Sequence, residues 1–269
     1  KLREGIESGR LRKDGRISMP DHPMCQGMFS IFFSAGLWYI ILMLLVVGSV
    51  SAYMLTKGLE LILNAPGGIA GAPAVIPGLF LSVSGGVLGI ACLAAMGKHS
   101  LLVFEVTAGG GDSLEELPDF DMLDWIAETL RLFVFVGLLC AVPALFLSYL
   151  SPAYGGFIMG IGVFFFYPVA LLSVLENDSV FAIISPRILW TMIRVPLAWL
   201  GLYFQSFVIA LLITGISIFL ARHYDFFAIF TAGAGLLAIF FYFRLLGRLA
   251  WCCNEALREY GGGEDEDDD

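Results

Sequence analysis

The sequence predicts an all-α polytopic integral membrane protein, a bundle of six transmembrane helices. Two bulk observations predict this class: 58% of the 269 residues are hydrophobic while only 14% are charged, and the mean hydropathy is +0.85. One water-soluble core cannot bury so much apolar surface. A third observation is positional, because residues 22–56, 61–97 and 132–175 contain no Asp, Glu, Lys or Arg. Lipid offers backbone groups no hydrogen-bond partner, so each crossing should be a helix.

The long uncharged stretches divide at turn residues. Residues 195–221 and 226–243 are two further uncharged stretches. A hydrocarbon core of roughly 30 Å needs about 20 apolar residues per helix, so the five stretches hold more than five crossings. Ser151-Pro152-Ala153 predicts a tight turn between two helices. The segment "NAPGGIAGAPAVIPG" is too rich in Gly and Pro for a helix, so the second span should begin near Ile76. The predicted spans are 31–54, 76–96, 130–150, 154–175, 196–220 and 225–246.

The distribution of Lys and Arg predicts the orientation of this bundle. With six spans, only Lys57 and Arg222 of the 15 basic side chains lie on the side opposite the N-terminus. Because Lys and Arg accumulate on the cytoplasmic side, both termini should be cytoplasmic, in the inner or plasma membrane. Residues 1–28 then form a basic cytoplasmic segment, 29–258 the six-helix domain, and 259–269 a disordered acidic tail.

The cytoplasmic loop between the second and third spans is acidic and carries aromatic side chains. Its sequence, "GGGDSLEELPDFDMLDW", occupies residues 109–125. The three glycines should end the preceding helix, and a new helix should start at Asp119 or Asp121. Apolar residues then recur at helical spacing, which predicts an amphipathic helix along the membrane surface. The residues predicted to dock a partner or to form a cytoplasmic clamp are Glu115, Glu116, Asp119, Asp121, Asp124 and Trp125.

Two arginines in the last helix are candidate partners for these carboxylates. Arg244 and Arg248 are four residues apart and therefore lie on one helix face. An arginine at this depth either reaches the lipid headgroups or pairs with a carboxylate. One hypothesis is that both arginines clamp residues 119–124 and close the cytoplasmic end of the bundle. Contact with lipid phosphate is the alternative.

The loop before the fifth span has a similar pattern. Its sequence, "ENDSVFAIISPRILWTMIRVP", again contains a polar break, a proline at Pro186 and an amphipathic stretch with a tryptophan. This predicts a second interfacial helix on the cytoplasmic side.

Three segments carry a resemblance to a known group of proteins. "TAGGGDSLEELPDF", "ISPRILWTMIRVP" and "FRLLGRLAW" together resemble uncharacterised polytopic bacterial membrane proteins of the domain-of-unknown-function 4013 and Yip1-like kind. The resemblance covers residues 29–252. It implies a multi-helix membrane domain with cytoplasmic loops, and it implies no catalytic residues.

The interior of the predicted spans is nearly free of ionisable groups. No Asp, Glu, His or Lys lies in the middle of any span, which argues against ion-coupled transport. Gln205 and Ser206 are neutral polar residues within the fifth span, and Pro143 and Pro168 should kink the third and fourth. These four residues are the candidate path for a solute. Packing between helices is the simpler interpretation of the polar pair.

Small residues and cysteines supply two further predictions. The pairs Gly85/Gly89 and Gly156/Gly160 predict close contact between helices. Cys252 and Cys253 are expected to be buried thiols, with lipidation by palmitate left open.

Sequence signatures of enzymes are missing. The motifs HExxH, GxSxG and the phosphate-binding loop do not occur. The sequence therefore predicts no enzymatic activity, no cofactor and no metal site, and the basic N-terminal segment is too sparse in charge for nucleic acid. Two functions stay open. The first is a non-catalytic organiser that assembles a membrane complex through its acidic loop, with the lipid bilayer and other membrane or cytoplasmic proteins as partners. The alternative is a facilitator or channel for a small neutral or lipophilic solute.

Overall fold

The structure, a computed structural model, describes residues 23–65, 72–111, 121–130, 133, 136–150, 154–177, 179, 182, 184–223 and 227–261. Within these ranges every regular element is a helix, which confirms the predicted all-α class. A short 3-10 helix, Ser30–Phe33, precedes eight α-helices. These are α1 Ala35–Leu63, α2 Ala72–Ala108, α3 Met122–Thr129, α4 Val136–Leu150, α5 Gly155–Asn177, α6 Pro186–Arg194, α7 Pro196–His223 and α8 Phe227–Gly261.

Five segments in the described part of the chain are long and apolar enough to cross a membrane. They are Ala35–Leu63, Val75–Ala108, Ile158–Asn177, Pro196–Phe219 and Ala232–Arg258. They match five of the six predicted spans. The remaining one, 130–150, contains α4, which has 15 residues. At 1.5 Å per residue, α4 is about 22 Å long, shorter than a hydrocarbon core of roughly 30 Å.

Several helices extend beyond the predicted spans. Helix α1 continues to Leu63 instead of ending at residue 54, and α8 continues to Gly261. The predicted limits followed hydropathy, which marks where lipid contact ends, whereas a helix continues into water when its exposed residues favour it. In α1, Lys57 Nζ lies 2.6 Å from Glu60 Oε2 on the same helix face, an arrangement that supports an exposed turn.

The predicted start of the second span near Ile76 agrees with the observed span Val75–Ala108, but the prediction that the whole Gly- and Pro-rich segment is not helical is wrong. Helix α2 begins at Ala72, so it includes Pro73 and Pro77. A proline in the first turn gives up no hydrogen bond, because the N–H groups of that turn have no helical acceptor. Pro77 lies inside the helix and loses one such bond, which the rest of a 37-residue helix tolerates.

Helix α8 forms the centre of the bundle. It packs against α1, α2, α6 and α7, while α1 with α2 and α4 with α5 form hairpins. The fully buried apolar side chains are concentrated in α8: Phe240, Leu245, Leu246 and Leu249 are 0% exposed. By contrast, large apolar side chains on the outer faces of α1, α2 and α7 are exposed, as expected where lipid is the solvent.

The hairpin of α1 and α2 depends on small residues. A Cβ atom on Gly85 would lie 2.9 Å from the backbone nitrogen of Leu55, and Ser51 Oγ donates a 2.8 Å hydrogen bond to the Gly85 carbonyl. A Cβ on Gly89 would lie 2.9 Å from Ser51 Oγ. The prediction of close contact at Gly85/Gly89 is therefore confirmed.

The same prediction is wrong for Gly156/Gly160. Apart from their chain neighbours and the backbone of α5 itself, no described atom lies within 4 Å of a Cβ built on either glycine. Helix α5 instead buries its other end, from Val169 to Val174. Two glycines four residues apart promote packing only where a second helix crosses that face, and the sequence pattern does not contain this information.

Candidate functional site

A buried arginine joins three parts of the chain at one end of the bundle. Arg244 of α8 is 0% exposed. Its Nη1 donates to Thr107 Oγ1 at 2.8 Å and to the Gly111 carbonyl at 2.9 Å. Its Nη2 donates to the Gly27 carbonyl at 2.9 Å and to Ser30 Oγ at 3.0 Å. We call Arg244 and these four residues the Arg244 cluster. It connects the segment before α1, the end of α2 and the centre of α8.

Glycines with positive φ position the backbone carbonyls that accept hydrogen bonds from Arg244. Helix α2 ends in a turn in which Gly110 has a φ of 82° and the Gly111 N–H bonds to the Val106 carbonyl at 2.8 Å. Glycine is preferred at such helix ends because it adopts positive φ without strain. Gly27 likewise has a φ of 68°. The predicted helix break at residues 109–111 is thus confirmed.

A third glycine allows α8 to approach this turn. A Cβ on Gly247 would lie 2.7 Å from the Phe104 carbonyl oxygen and 2.7 Å from Thr107 Cβ. With hydrogen in place of that Cβ, α8 contacts the last turn of α2 directly. Arg244, one turn earlier in α8, is then close enough to reach Thr107 and Gly111.

The chain segment 23–33 packs against this end of the bundle. Met24 and Met28 are buried, and Phe29 contacts Phe241 with ring centroids 5.5 Å apart. Gln205 Nε2 of α7 donates a 2.9 Å hydrogen bond to the Met24 carbonyl. The side-chain amide of Gln205, which was predicted to line a solute path, therefore binds the N-terminal segment to α7.

The described part of the acidic region caps and anchors α3. Asp121 accepts hydrogen bonds from the backbone N–H groups of Leu123 and Asp124, at 3.0 and 3.3 Å. This confirms Asp121 as the start of the helix. Asp124 is exposed, whereas Trp125 is buried and packs edge-on against His99 of α2, with ring centroids 5.5 Å apart.

Two further contacts hold α3 against α2. Lys98 Nζ lies 2.7 Å from Glu128 Oε2, and Thr129 Oγ1 donates to the Ala94 carbonyl at 3.2 Å. The Thr129 side chain fits against α2 because Gly97 has no Cβ, and a Cβ at this position would collide with Thr129. The position of α3 is therefore set by polar and apolar contacts together.

The remaining predicted docking residues are Glu115, Glu116 and Asp119, and they lie outside the described residues. Arg248 is 2% exposed, with its guanidinium carbon 5.3 Å from the centroid of the Trp251 ring. The clamp between the two arginines and the acidic segment stays a prediction.

The segment predicted as a second interfacial helix forms α6, and this helix contacts α7 and α8 through Thr191. Thr191 Oγ1 accepts from Trp199 Nε1 at 3.3 Å and lies 3.2 Å from Cys253 Sγ. Cys252 and Cys253 are each 3% exposed. The prediction of buried thiols is confirmed, and in this state neither sulfur is accessible to an acyl donor.

A cavity of about 470 Å³ lies between α5, α7 and α8. Ser206, from the predicted solute path, lines it and is 8% exposed. Pro168 is a buried residue inside α5, and the side chain of Pro143 lies outside the described residues. The rest of the lining is apolar or aromatic and includes Tyr167 and Tyr242.

Sequence patterns alone did not identify the neutral members of the Arg244 cluster or the tyrosines of this cavity. Gly27, Ser30 and Thr107 are distant from Arg244 in sequence and belong to no recognised motif. The one available signal was the triple glycine after α2, which correctly located the turn that presents the Gly111 carbonyl.

Comparison with known proteins gives no independent guide. No protein-family model, no curated protein and no solved structure matches the chain. The geometry above therefore carries the functional argument.

Proposed function

We propose that this protein is a non-catalytic integral membrane protein that assembles a membrane complex through its acidic cytoplasmic loop, residues 112–120. The observation that carries the proposal is the fixation of both ends of this loop. Gly111, directly before it, accepts a hydrogen bond from Arg244. Asp121, directly after it, caps a helix that is anchored on α2 by Trp125 and Glu128.

Fixed ends favour binding because they reduce the conformational entropy that a partner must remove. The loop sequence, "DSLEELPDF", contains Asp112, Glu115, Glu116 and Asp119 and no basic residue. Four carboxylates in nine residues attract a cationic surface and are repelled by anionic lipid headgroups. The expected partner is therefore a protein with a basic patch close to the membrane.

The proposal includes six crossings with both termini in the cytoplasm. The sixth crossing would be α4 together with residues 130–135, which precede it. That count places 13 of the 15 Lys and Arg residues on one side. It also places α3, α6 and the Arg244 cluster on the cytoplasmic side. Within this proposal, the resemblance to polytopic bacterial membrane proteins of the domain-of-unknown-function 4013 and Yip1-like kind describes the same architecture.

A site-specific crosslinking experiment tests the docking role. A photoreactive amino acid at position 116 should crosslink one defined protein in cells. A loop variant carrying Asp112→Asn, Glu115→Gln and Asp119→Asn should reduce that product at least fivefold, because the long-range attraction is lost. Glu60→Gln is the matched control, since it removes one carboxylate near the far end of α1 and should leave the product unchanged.

Two results would contradict docking by the loop. One is a crosslinking pattern at position 116 that contains lipid only. The other is a protein product whose yield is equal in the loop variant and the parent.

The alternative, a facilitator for a small neutral or lipophilic solute, has weaker support. Gln205 is engaged with the Met24 carbonyl, and the centre of the bundle around α8 is filled by buried apolar side chains. A path would have to use the cavity at Ser206. Solute flux into proteoliposomes that a Ser206→Leu substitution blocks would favour this alternative.

A further inference from the structure

Helix α6 connects two of the candidate membrane spans. The span Ile158–Asn177 ends before it, and the span Pro196–Phe219 begins directly after its last turn. With nine residues, α6 is about 13 Å long, too short to cross a hydrocarbon core of roughly 30 Å. Where the two spans cross a membrane, α6 therefore lies at the membrane surface.

The side chains of α6 form three faces. Ile188 and Thr191 are buried against the bundle. A second face is apolar and exposed, with Ile193 79% exposed. The third face is basic, because Arg187 and Arg194 are both exposed and lie seven residues, about two turns, apart. A helix at a membrane surface meets protein, acyl chains and headgroups on different sides, and the three faces of α6 fit this arrangement.

The guanidinium of Arg194 is positioned but not neutralised. Its central carbon lies 4.5 Å from the centroid of the Trp190 ring, one turn earlier in α6. Contact with an aromatic face leaves the N–H groups in the guanidinium plane available to the oxygens of a phosphate. No carboxylate of the described residues lies within 4 Å of Arg194. Arg187 differs, since its Nη1 is 3.9 Å from Glu176 Oε1.

A groove of about 460 Å³ begins at Arg194 and continues along α7. One wall consists of Leu197, Gly201 and Gln205, which are spaced four residues apart and follow one face of α7 over about 12 Å. The opposite wall is the N-terminal segment at Met24. Leu197 is 82% exposed, so the groove is open on the outer surface of the bundle where the α7 span begins. Among the described residues that line the groove, Arg194 alone is charged.

We propose that this groove binds an anionic phospholipid, with the phosphate on Arg194 and one acyl chain along Leu197, Gly201 and Met24. The order of the lining carries the choice of ligand. A cation lies at the headgroup level, and an apolar wall leads from it toward the interior of the membrane, in the order in which a phospholipid presents its own groups. A soluble anion would use the cation without the wall, and a neutral lipid would use the wall without the cation.

This site depends neither on docking by the acidic loop nor on the number of crossings. Each proposal can therefore fail alone.

Native mass spectrometry of the full chain in an uncharged detergent tests the site. The probes are phosphatidylglycerol and phosphatidylcholine with identical acyl chains, and each is titrated separately while the lipid-bound fraction is measured. The parent protein should bind one phosphatidylglycerol saturably, with a Kd at least fivefold lower than that for phosphatidylcholine. The reason is that only phosphatidylglycerol carries a net negative charge for Arg194 to attract.

Three variants separate this site from general lipid contact. Arg194→Gln should raise the Kd for phosphatidylglycerol about fivefold and leave the Kd for phosphatidylcholine unchanged. Arg194→Lys keeps the charge without the planar fork, so its Kd should fall between those of the parent and Arg194→Gln. Arg258→Gln is the control, because it removes a 46% exposed arginine of α8 that does not line the groove. Arg194 is exposed, so the melting temperature of each variant should equal that of the parent, which separates lost binding from lost folding.

Three results would overturn the proposal. The first is an equal Kd for the two lipids in the parent protein. The second is a Kd for phosphatidylglycerol that is the same in Arg194→Gln and Arg258→Gln. The third is displacement of phosphatidylglycerol by ammonium phosphate at an ionic strength where ammonium acetate has no effect, which would indicate a site for a soluble anion.

Discussion

Replacing Arg244 by alanine should strongly destabilise the bundle. The substitution removes the donor from four hydrogen bonds and leaves two partly buried carbonyls, those of Gly27 and Gly111, without this partner. A hydrogen bond to a charged group contributes about 1.5–3 kcal/mol. The four values do not add, since desolvation of the guanidinium opposes them and water enters the vacated space.

We expect a net loss of about 1–3 kcal/mol, the cost of leaving hydrogen-bond acceptors without their donor. For a domain of this size, one kcal/mol corresponds to about 2–4 °C, so the melting temperature should fall by about 2–12 °C. The assay is thermal unfolding in detergent, followed by tryptophan fluorescence. Hydrogen exchange supplies a second readout, because residues 23–33 and the turn at Gly111 should lose protection together.

Two variants of α8 serve as controls. Arg244→Lys keeps the charge but lacks the planar fork that reaches acceptors on both sides, so it should recover only part of the loss. Arg258→Ala removes an arginine whose side chain is 46% exposed and 3.9 Å from Glu255, and exposed ion pairs contribute about 0–1 kcal/mol. If Arg244→Ala lowers the melting temperature no further than Arg258→Ala does, the Arg244 cluster does not stabilise the bundle.

Three further substitutions test other contacts. Gly85→Ala should lower the free energy of unfolding by about 1–3 kcal/mol because the new Cβ would collide with the α1 backbone. Gly86→Ala, at an open position, should be neutral or stabilising by up to about 1 kcal/mol. Equal effects of the two substitutions would contradict the close contact of α1 and α2 at Gly85. Thr191→Val removes the acceptor of Trp199 Nε1 and should lower the free energy of unfolding by about 1–3 kcal/mol. Tryptophan fluorescence emission should shift as well, and an unchanged spectrum would count against the hydrogen bond between Thr191 and Trp199. Asp121→Ala should destabilise α3 by about 1 kcal/mol, which hydrogen exchange should detect as faster exchange over residues 122–129. Asp121→Asn should retain the helix cap. Equal exchange rates in the two variants would argue against capping by Asp121.

Hydropathy located the helices well and their ends poorly. The uncharged stretches predicted five spans that the structure also contains, because burial in lipid requires apolar residues wherever a helix crosses. Where α1 and α8 leave the lipid, their charged residues continue the helix, so the apolar stretch ends before the helix does. Of residues 130–135 the structure describes only Leu130 and Phe133, so the first part of the predicted span 130–150 stays a prediction.

Local signals predicted local structure, and long-range contacts needed the coordinates. The triple glycine and Asp121 correctly located the end of α2 and the start of α3, because both effects act within one turn. The atoms that accept hydrogen bonds from Arg244 could not be inferred from the sequence, because only the packing of the helices brings Gly27 and Thr107 close to it. The cavity at Ser206 is likewise a property of three helices, so its tyrosines had no signature in the sequence.

We propose a membrane bundle with an even number of crossings and both ends on the cytoplasmic side. Labelling of Cys25, or of an introduced cysteine, by a membrane-impermeant maleimide in intact cells tests this topology. The native Cys25, which is exposed, reports the N-terminal side, and Lys57→Cys and Arg258→Cys in a Cys25→Ala background report the end of α1 and the end of α8. With six crossings and a cytoplasmic N-terminus, Lys57→Cys is labelled in intact cells, and Cys25 and Arg258→Cys are labelled only after the membrane is opened. Labelling of Arg258→Cys but not Cys25 in intact cells would show an odd number of crossings and contradict the proposed topology.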